Sequence, residues 1–423
     1  MEKMLKKLQG RLSLHMPGHK GHLNRFDTTE LPVTDDLYAP SNGILAAEMA
    51  MAKACRAAAS VFLVGGSTAG VQSMMLAYLS PGDTVILPRN AHLSAISACT
   101  LGDYNAVFVQ EEKEAAFLAV MAENPHAKAV FVTRPNYYGG MMPLEKIAKT
   151  AHEMGMKLIV DEAHGAHLNW IAVLKTAMDC GADACVQSFH KTLPALNSAA
   201  VMHFKRKEDA DIARMRSRLI QTSSPSFPVL LSIDKARALM DESGAERLNE
   251  LVRKIDAFCL KAAKLGYEDL RREDKTRLVL RAPQGGKALA AQLAEKGIDV
   301  EMADDESIVC ILTVADDAAV FERLYEALAE IEIRPIEKIC LSALPLPKRR
   351  CSIREALFAP FEAVPLKQAA GRVAAVSFGL YPPGTPLATP GEIITEEMLA
   401  LCIGSNTFGL ENDAVKCTLE GNK

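Results

Sequence analysis

The chain has 423 residues, 49% hydrophobic and 24% charged, an ordinary balance for a globular protein with material for roughly two or three domains. A formal net charge of -4 argues against a nucleic-acid surface, which needs a basic excess to neutralise phosphates. No run of ~18 apolar residues could form a membrane-spanning helix, and the N-terminus MEKMLKKLQGRLSLHMPGHK lacks a signal-peptide apolar core, so a cytoplasmic location is expected.

Taken in chain order, residues 1–43 are rich in His, Gly, Pro and Asp, show weak periodicity and read as an N-terminal arm. From Ile44 the pattern becomes regular. ILAAEMAMAKACRAAA reads as a helix, and the apolar run SVFLV follows it. Strand-like runs recur at TVILP, NAVFV, KAVFVT, KLIVDE, DACVQS and AAVMHF, with helical stretches such as VQSMMLAYL, EEKEAAFLAVMA and PLEKIAKTAHEMG between most of them. Short β-branched runs alternating with helices predict an α/β unit, a parallel sheet covered on both faces, over residues 44–240. Ligands of such sheets collect beyond the carboxyl ends of the strands.

Over residues 241–423 the pattern changes. The stretch GAERLNELVRKIDAFCLKAAKLG reads as a long linker helix. LVLRAP, GKALAAQLAEKG, IDVEMA, SIVCILTV and DAAVFERLYEALAEI then predict a smaller α+β C-terminal domain ending in the turn-rich LYPPGTPLATPGE. The ten cysteines are scattered singly with no C-x-x-C pair, which reads as buried free thiols in a reducing compartment.

Four places carry candidate chemistry. Lys191 follows the strand DACVQS within Ser188-Phe189-His190-Lys191-Thr192. A partly desolvated lysine has a lowered pKa, and its neutral amine can form a Schiff base. A lone lysine is ordinarily a surface residue, but Ser188 and His190 are donors suited to a phosphate. Asp161 ends the apolar strand KLIV and opens Asp161-Glu162-Ala163-His164-Gly165-Ala166-His167. A carboxylate there is costly unless paired, and a protonated pyridine nitrogen is a good partner. Metal ligation by Asp161, His164 and His167, or a purely structural strand-end cap, remain rival readings. The turn Gly65-Gly66-Ser67-Thr68-Ala69-Gly70 lets backbone approach an anion at a helix N-terminus, although such a turn also serves simply to cap a helix. His92, after TVILP and the loop residues Arg89 and Asn90, could stack on a planar ring, where a lone loop histidine is usually just solvated.

Together these segments resemble the Orn/Lys/Arg decarboxylase family, enzymes dependent on pyridoxal 5′-phosphate (PLP), in its shorter form without the N-terminal receiver-like domain. HMPGHKG, ELPVTDDLYAP, FLVGGSTAGVQSMMLA, PRNAHLSAI, RPNYYGGMMPLEKIA, VDEAHGAH, QSFHKTLPAL, QTSSPSFPVLLSID and YPPGTPLATPGE are similar to family segments in the family's order. The resemblance implies the type I PLP-dependent transferase fold, with a mostly parallel seven-stranded sheet. It implies that Lys191 carries the cofactor, Asp161 pairs with the pyridine nitrogen, His92 stacks on the ring and His164 lies beside it. Ser67, Thr68, Ser188 and His190 would hold the phosphate, with Ala69 in the same binding turn. Ser223 and Ser224, in Thr222-Ser223-Ser224-Pro225, resemble the segment that reaches a neighbouring subunit's cofactor. A homodimer or multiple of dimers with shared sites is therefore expected.

The expected substrate is a small basic amino acid, decarboxylated to an amine such as agmatine, cadaverine or putrescine. Leu93 after His92, Arg134 before Pro135, the pair Asn197-Ser198 and a shortened stretch after His167 depart from the family pattern. They leave the substrate's identity open. Another PLP reaction on the same scaffold, such as transamination with Arg349, Arg350, Arg354 or Arg372 holding a substrate carboxylate, is the enzymatic rival. A PLP-binding regulatory homologue with weak turnover is the non-enzymatic one.

Overall fold

The seven apolar runs of residues 44–240 form seven strands: β1 Ala59–Leu63, β2 Thr84–Pro88, β3 Asn105–Val109, β4 Ala129–Thr133, β5 Lys157–Asp161, β6 Ala184–Ser188 and β7 Ala200–Phe204. The structure is a computed structural model that describes residues 1–333, 344–381 and 384–419. The strands build one sheet in the order β1-β7-β6-β5-β4-β2-β3. β7 runs antiparallel to β1 and β6, and the remaining pairs are parallel. Every residue of β2, β6 and β7 is buried, as a sheet covered on both faces requires. All strands except β7 therefore end at the same edge, where the candidate residues stand.

The helix Gly66–Tyr78 crosses the sheet directly after β1. A Cβ at Gly70 would lie 2.5 Å from Val186 Cγ2 and 2.8 Å from Leu63 Cδ1, so only glycine lets this helix settle on β1 and β6. That seating places its N-terminus at the carboxyl edge of the sheet.

The long helix runs Phe227–Ala263, beginning well before the stretch from Gly244 that its sequence pattern marks. The turn Thr222-Ser223-Ser224-Pro225 precedes it directly, and Pro228 falls in the helix's first turn, where its missing N–H costs nothing. Leu230, Ile233, Ala236 and Met240 then continue the buried stripe into Leu248, Leu251 and Ile255. Residue 240 therefore lies inside a continuous helix.

Beyond it, a four-stranded sheet holds strands β8 Glu268–Asp269, β9 Arg277–Arg281, β10 Met302–Ala303 and β11 Ser307–Ile311 in the order β10-β11-β9-β8. Two three-stranded sheets complete the C-terminal part. Arg89, just after β2, clamps this part to the large sheet. Its guanidinium makes a buried two-pronged pair with Glu392, at 2.8 and 2.9 Å, and donates to the carbonyls of Pro386 and Leu387. Pro382 and Pro383 of the turn-rich segment lie outside the described residues.

The arm is mostly turns after a short helix, Glu2–Leu5. Met4, Leu5 and Leu37 are buried in its own chain's core, while Leu12, Leu14 and Leu23 are each 85% exposed.

Candidate active site

A cavity of about 570 Å³ opens at the carboxyl edge of the large sheet. Strand ends supply most of its wall. Ser67 and Thr68 come from the turn after β1, Asn90 and His92 follow β2, and Glu112 follows β3. Thr133 ends β4 with Asn136 and Tyr137 after it, Asp161 ends β5 with His164 after it, and His190 and Lys191 follow β6. Tyr381, Gly384, Thr385 and Phe408 of the C-terminal part close it. An adjoining cavity of about 810 Å³ shares Glu112, Thr133, Asn136 and Tyr138 with it.

Lys191 sits in the single helical turn Phe189–Thr192, with Nζ 3.1 Å from Nε2 of His164. Burial lowers the pKa of its amine, with Asp161 and Glu301 opposing the shift and Arg277 reinforcing it. His164 is held well below the usual histidine range by burial, and next by the charges of Lys191 and Arg277. The ring of Tyr137 packs on His164 at a centroid distance of 4.6 Å. Asp161 is buried, and its Oδ1 accepts the Ala163 amide at 3.1 Å, which leaves Oδ2 for a partner in the cavity.

His92 caps the helix Leu93–Gly102, its Nδ1 accepting the Ser94 amide at 3.1 Å. The proton of the neutral ring is therefore on Nε2. Burial lowers its pKa and Lys191 adds to the shift, while Asp161 opposes it. The helix Gly66–Tyr78 presents Ser67 and Thr68 from its first turn, and a Cβ at Gly66 would meet no atom within 4 Å. An anion has room there against backbone amides.

The remaining sequence candidates divide. His190 lines the cavity, its Nδ1 donating to the Ala199 carbonyl at 2.9 Å. Ser188 is fully buried at the end of β6, off the cavity wall, and its hydroxyl has no hydrogen-bond partner. Ala69 is buried within the helix's first turn, also off the wall. Ser223 and Ser224 are exposed and stand outside their own chain's cavity. His167 turns away from Asp161 and bonds Asp274 Oδ2 at 3.1 Å, so Asp161, His164 and His167 do not converge as metal ligands. Among the described residues no group of three His, Cys, Asp or Glu side chains has that arrangement.

Leu93, Asn197 and Ser198, three departures from the family pattern, line the cavity. Arg134 does not. Its guanidinium donates to the Lys175 carbonyl at 2.7 Å and lies 4.0 Å from the buried Glu162. Glu112, Asn136, Tyr137 and Arg277 were not singled out by the sequence reading. The first three sit at the carboxyl edge that the strand pattern already marks. Arg277, at the start of β9, carries no local signal.

Comparison with known proteins matches residues 21–266 to the family described as Orn/Lys/Arg decarboxylase, major domain, and residues 348–402 to that family's C-terminal domain. The chain is 30% identical to an arginine decarboxylase of Bacillus subtilis, over 94% of this chain and 91% of that one. It is 28% identical to an arginine decarboxylase of Halalkalibacterium halodurans, again over 94% and 91% of the two chains. Among solved structures, the Francisella novicida lysine decarboxylase LdcF superposes with a TM-score of 0.83 at 17% identity, covering 98% of this chain and 80% of that one, which is likeness of fold. With its fold, its strand-end lysine and aspartate, and a family match spanning more than half its length, the chain belongs to the Orn/Lys/Arg decarboxylase family.

Proposed function

We propose that this protein decarboxylates a basic amino acid (arginine, lysine or ornithine) to the corresponding amine, with PLP held at Lys191. The observation that carries the proposal is the Lys191 amine, its pKa lowered by burial, facing a neutral His164 in a cavity that also holds Asp161.

The residues present fit the cofactor. Ser67, Thr68 and the helix N-terminus beginning at Gly66 suit a phosphate, with His190 beside them. Asp161 has a free carboxylate oxygen for a protonated ring nitrogen, and the flat His92 side chain suits the face of a ring. When bound, PLP supplies an electron sink for the pair left behind as carbon dioxide departs. Asp161 keeps that sink charged. Lys191 and His164, 3.1 Å apart, would be the pair to return a proton to the α-carbon.

Support for a basic substrate comes from the relatives named arginine decarboxylase and from the cavity's charge. Among the described residues its only carboxylates are Asp161 and Glu112, and Glu112 makes one long bond, Oε2 accepting from Asn136 Nδ2 at 3.4 Å. Its other oxygen can meet a cation. None of Arg349, Arg350, Arg354 and Arg372 lines the cavity, which removes the groups a transaminase reading would use for the substrate carboxylate.

The same reading places a second subunit at the site. Leu12, Leu14 and Leu23 present apolar surface that the arm's own chain leaves exposed, and Ser223 and Ser224 face outward. A homodimer or multiple of dimers covers both. The test is carbon dioxide release and amine formation from arginine, lysine and ornithine by PLP-loaded enzyme. Release from one or more of them is the expected result. No release from any, with PLP bound, overturns the proposal.

A further inference from the structure

We infer that Arg277 fixes the tautomer of His164 and, through it, holds the amine of Lys191 in its neutral form. The inference takes from the proposed function only that Lys191 is the reactive amine.

Arg277 opens β9 and is completely buried, a costly place for a permanent charge. Its pairing is incomplete. Asp274 Oδ2 lies 4.0 Å from Nε, and neither Nε nor Nη1 has a hydrogen-bond partner. Asp274 instead accepts from His167 and Thr276. The bonds the guanidinium does make both run to one residue. Nη2 donates to the His164 carbonyl at 2.9 Å and lies 3.2 Å from His164 Nδ1. One buried arginine thus directs its two Nη2 hydrogens to the backbone and ring of a single histidine.

A guanidinium can only donate, so Nδ1 of His164 must accept and is bare. The proton of the neutral ring is then on Nε2, and Nε2 points at Lys191 Nζ, 3.1 Å away. An ammonium has no lone pair with which to accept that hydrogen. A neutral amine has one. The donor order Arg277 to His164 to Lys191 is therefore satisfied only when Lys191 is deprotonated, the form that attacks a carbonyl.

The surrounding charges agree for both groups. His164 faces Lys191, Arg277, His167 and His92, all of which disfavour a second proton on its ring, as does burial. Lys191 loses proton affinity chiefly to burial and further to Arg277, and regains some from Asp161 at the end of β5 and from Glu301. Arg277 acts through His164 and is a positioning residue.

The experiment uses the full-length protein freed of any bound PLP with hydroxylamine, its fold checked by circular dichroism. Histidine is labelled with ¹⁵N, and the His164 signals are assigned by their loss in His164→Gln. Wild type is expected to show one tautomer between pH 6 and 9, protonated at Nε2 and bare at Nδ1. In Arg277→Met a proton should appear on Nδ1, and competitive acetylation of Lys191 at pH 7.5, read by mass spectrometry, should slow about tenfold, one pKa unit's worth. Arg277→Lys keeps the charge and loses the fork, so tautomer and acetylation rate should be retained together or lost together. A wild-type His164 protonated at Nδ1 overturns the inference. So does an Arg277→Lys protein in which the two readouts part company. Should Arg277→Met fail to fold by circular dichroism, the wild-type spectrum and Arg277→Lys still decide. Neither readout needs decarboxylation, so a failure here is distinct from an absence of carbon dioxide release.

Discussion

Replacing Asp161 with asparagine isolates the charge at the carboxyl end of β5. The side chain is 5% exposed, and its one hydrogen bond is accepted from the Ala163 amide, a bond that the side-chain carbonyl oxygen of the Asp161→Asn variant can also accept. The fold should therefore tolerate the change. On the proposed role of Asp161, what would disappear is the attraction between its carboxylate and a protonated ring nitrogen of the cofactor. For opposite unit charges ~3 Å apart at an effective dielectric of ~20, that attraction is roughly 5–6 kcal/mol. A neutral amide bond returns about 1–2 kcal/mol of it. The difference, about 4 kcal/mol, corresponds to ~10³-fold in rate at ~1.4 kcal/mol per tenfold. The assay pairs carbon dioxide release with the visible absorbance of bound PLP. Asp161→Asn should keep the cofactor and lose about three decades of turnover. Turnover within a few-fold of wild type, with cofactor bound, would refute the assignment of Asp161 to the ring nitrogen.

Glu112→Gln should raise KM for the basic substrate about tenfold, the worth of one charge-assisted bond, with a much smaller change in kcat; steady-state kinetics showing an unchanged KM would place the cationic end of the substrate elsewhere. Burial pushes His203 down to about 3 from 6.5, so the folded protein leaves it neutral while the unfolded chain binds a proton below 6.5. Its contribution is thus present above pH 6.5 and lost as pH falls towards 3, about 2 kcal/mol by pH 5. Urea unfolding at pH 5 and pH 7.5 should show a loss about 2 kcal/mol smaller in His203→Asn than in wild type, the remainder coming from the other buried histidines, His164 and His92. Mixing Lys191→Ala with a Ser223→Arg, Ser224→Arg double variant, unfolding them together and reassembling should restore activity, because a mixed dimer with shared sites carries both lesions in one site and none in the other. No recovery in verified heterodimers would mean that each chain builds its own site.

Asp161 and Lys191 could be read from the sequence because Asp161 ends the apolar run KLIV and Lys191 stands three residues beyond the end of a fully buried strand, and polar residues at such ends collect at one edge. Ser67 and Thr68 were legible for a related reason, glycines at a strand-to-helix turn. Ser188 shows the limit of that logic. It shares the strand end with Lys191, yet it is the last residue of β6 and is enclosed by its neighbours, whereas the helical turn after it carries Lys191 into the cavity. Arg277 and Phe408 arrive from the C-terminal part across long stretches of chain, and no local pattern marks such a contact. The start of the long helix was hidden because Pro225 and Pro228 punctuate a sequence equally, whether they end a turn or open a helix.

The most direct test of the account is chemical capture at Lys191. Purified, PLP-loaded protein is reduced with borohydride, digested and mapped by mass spectrometry. The account predicts that the pyridoxyl mass is carried by the peptide containing Ser188-Phe189-His190-Lys191-Thr192, with fragment ions placing it on Lys191. The adduct on any other lysine, or its absence from protein that retains PLP, would contradict it.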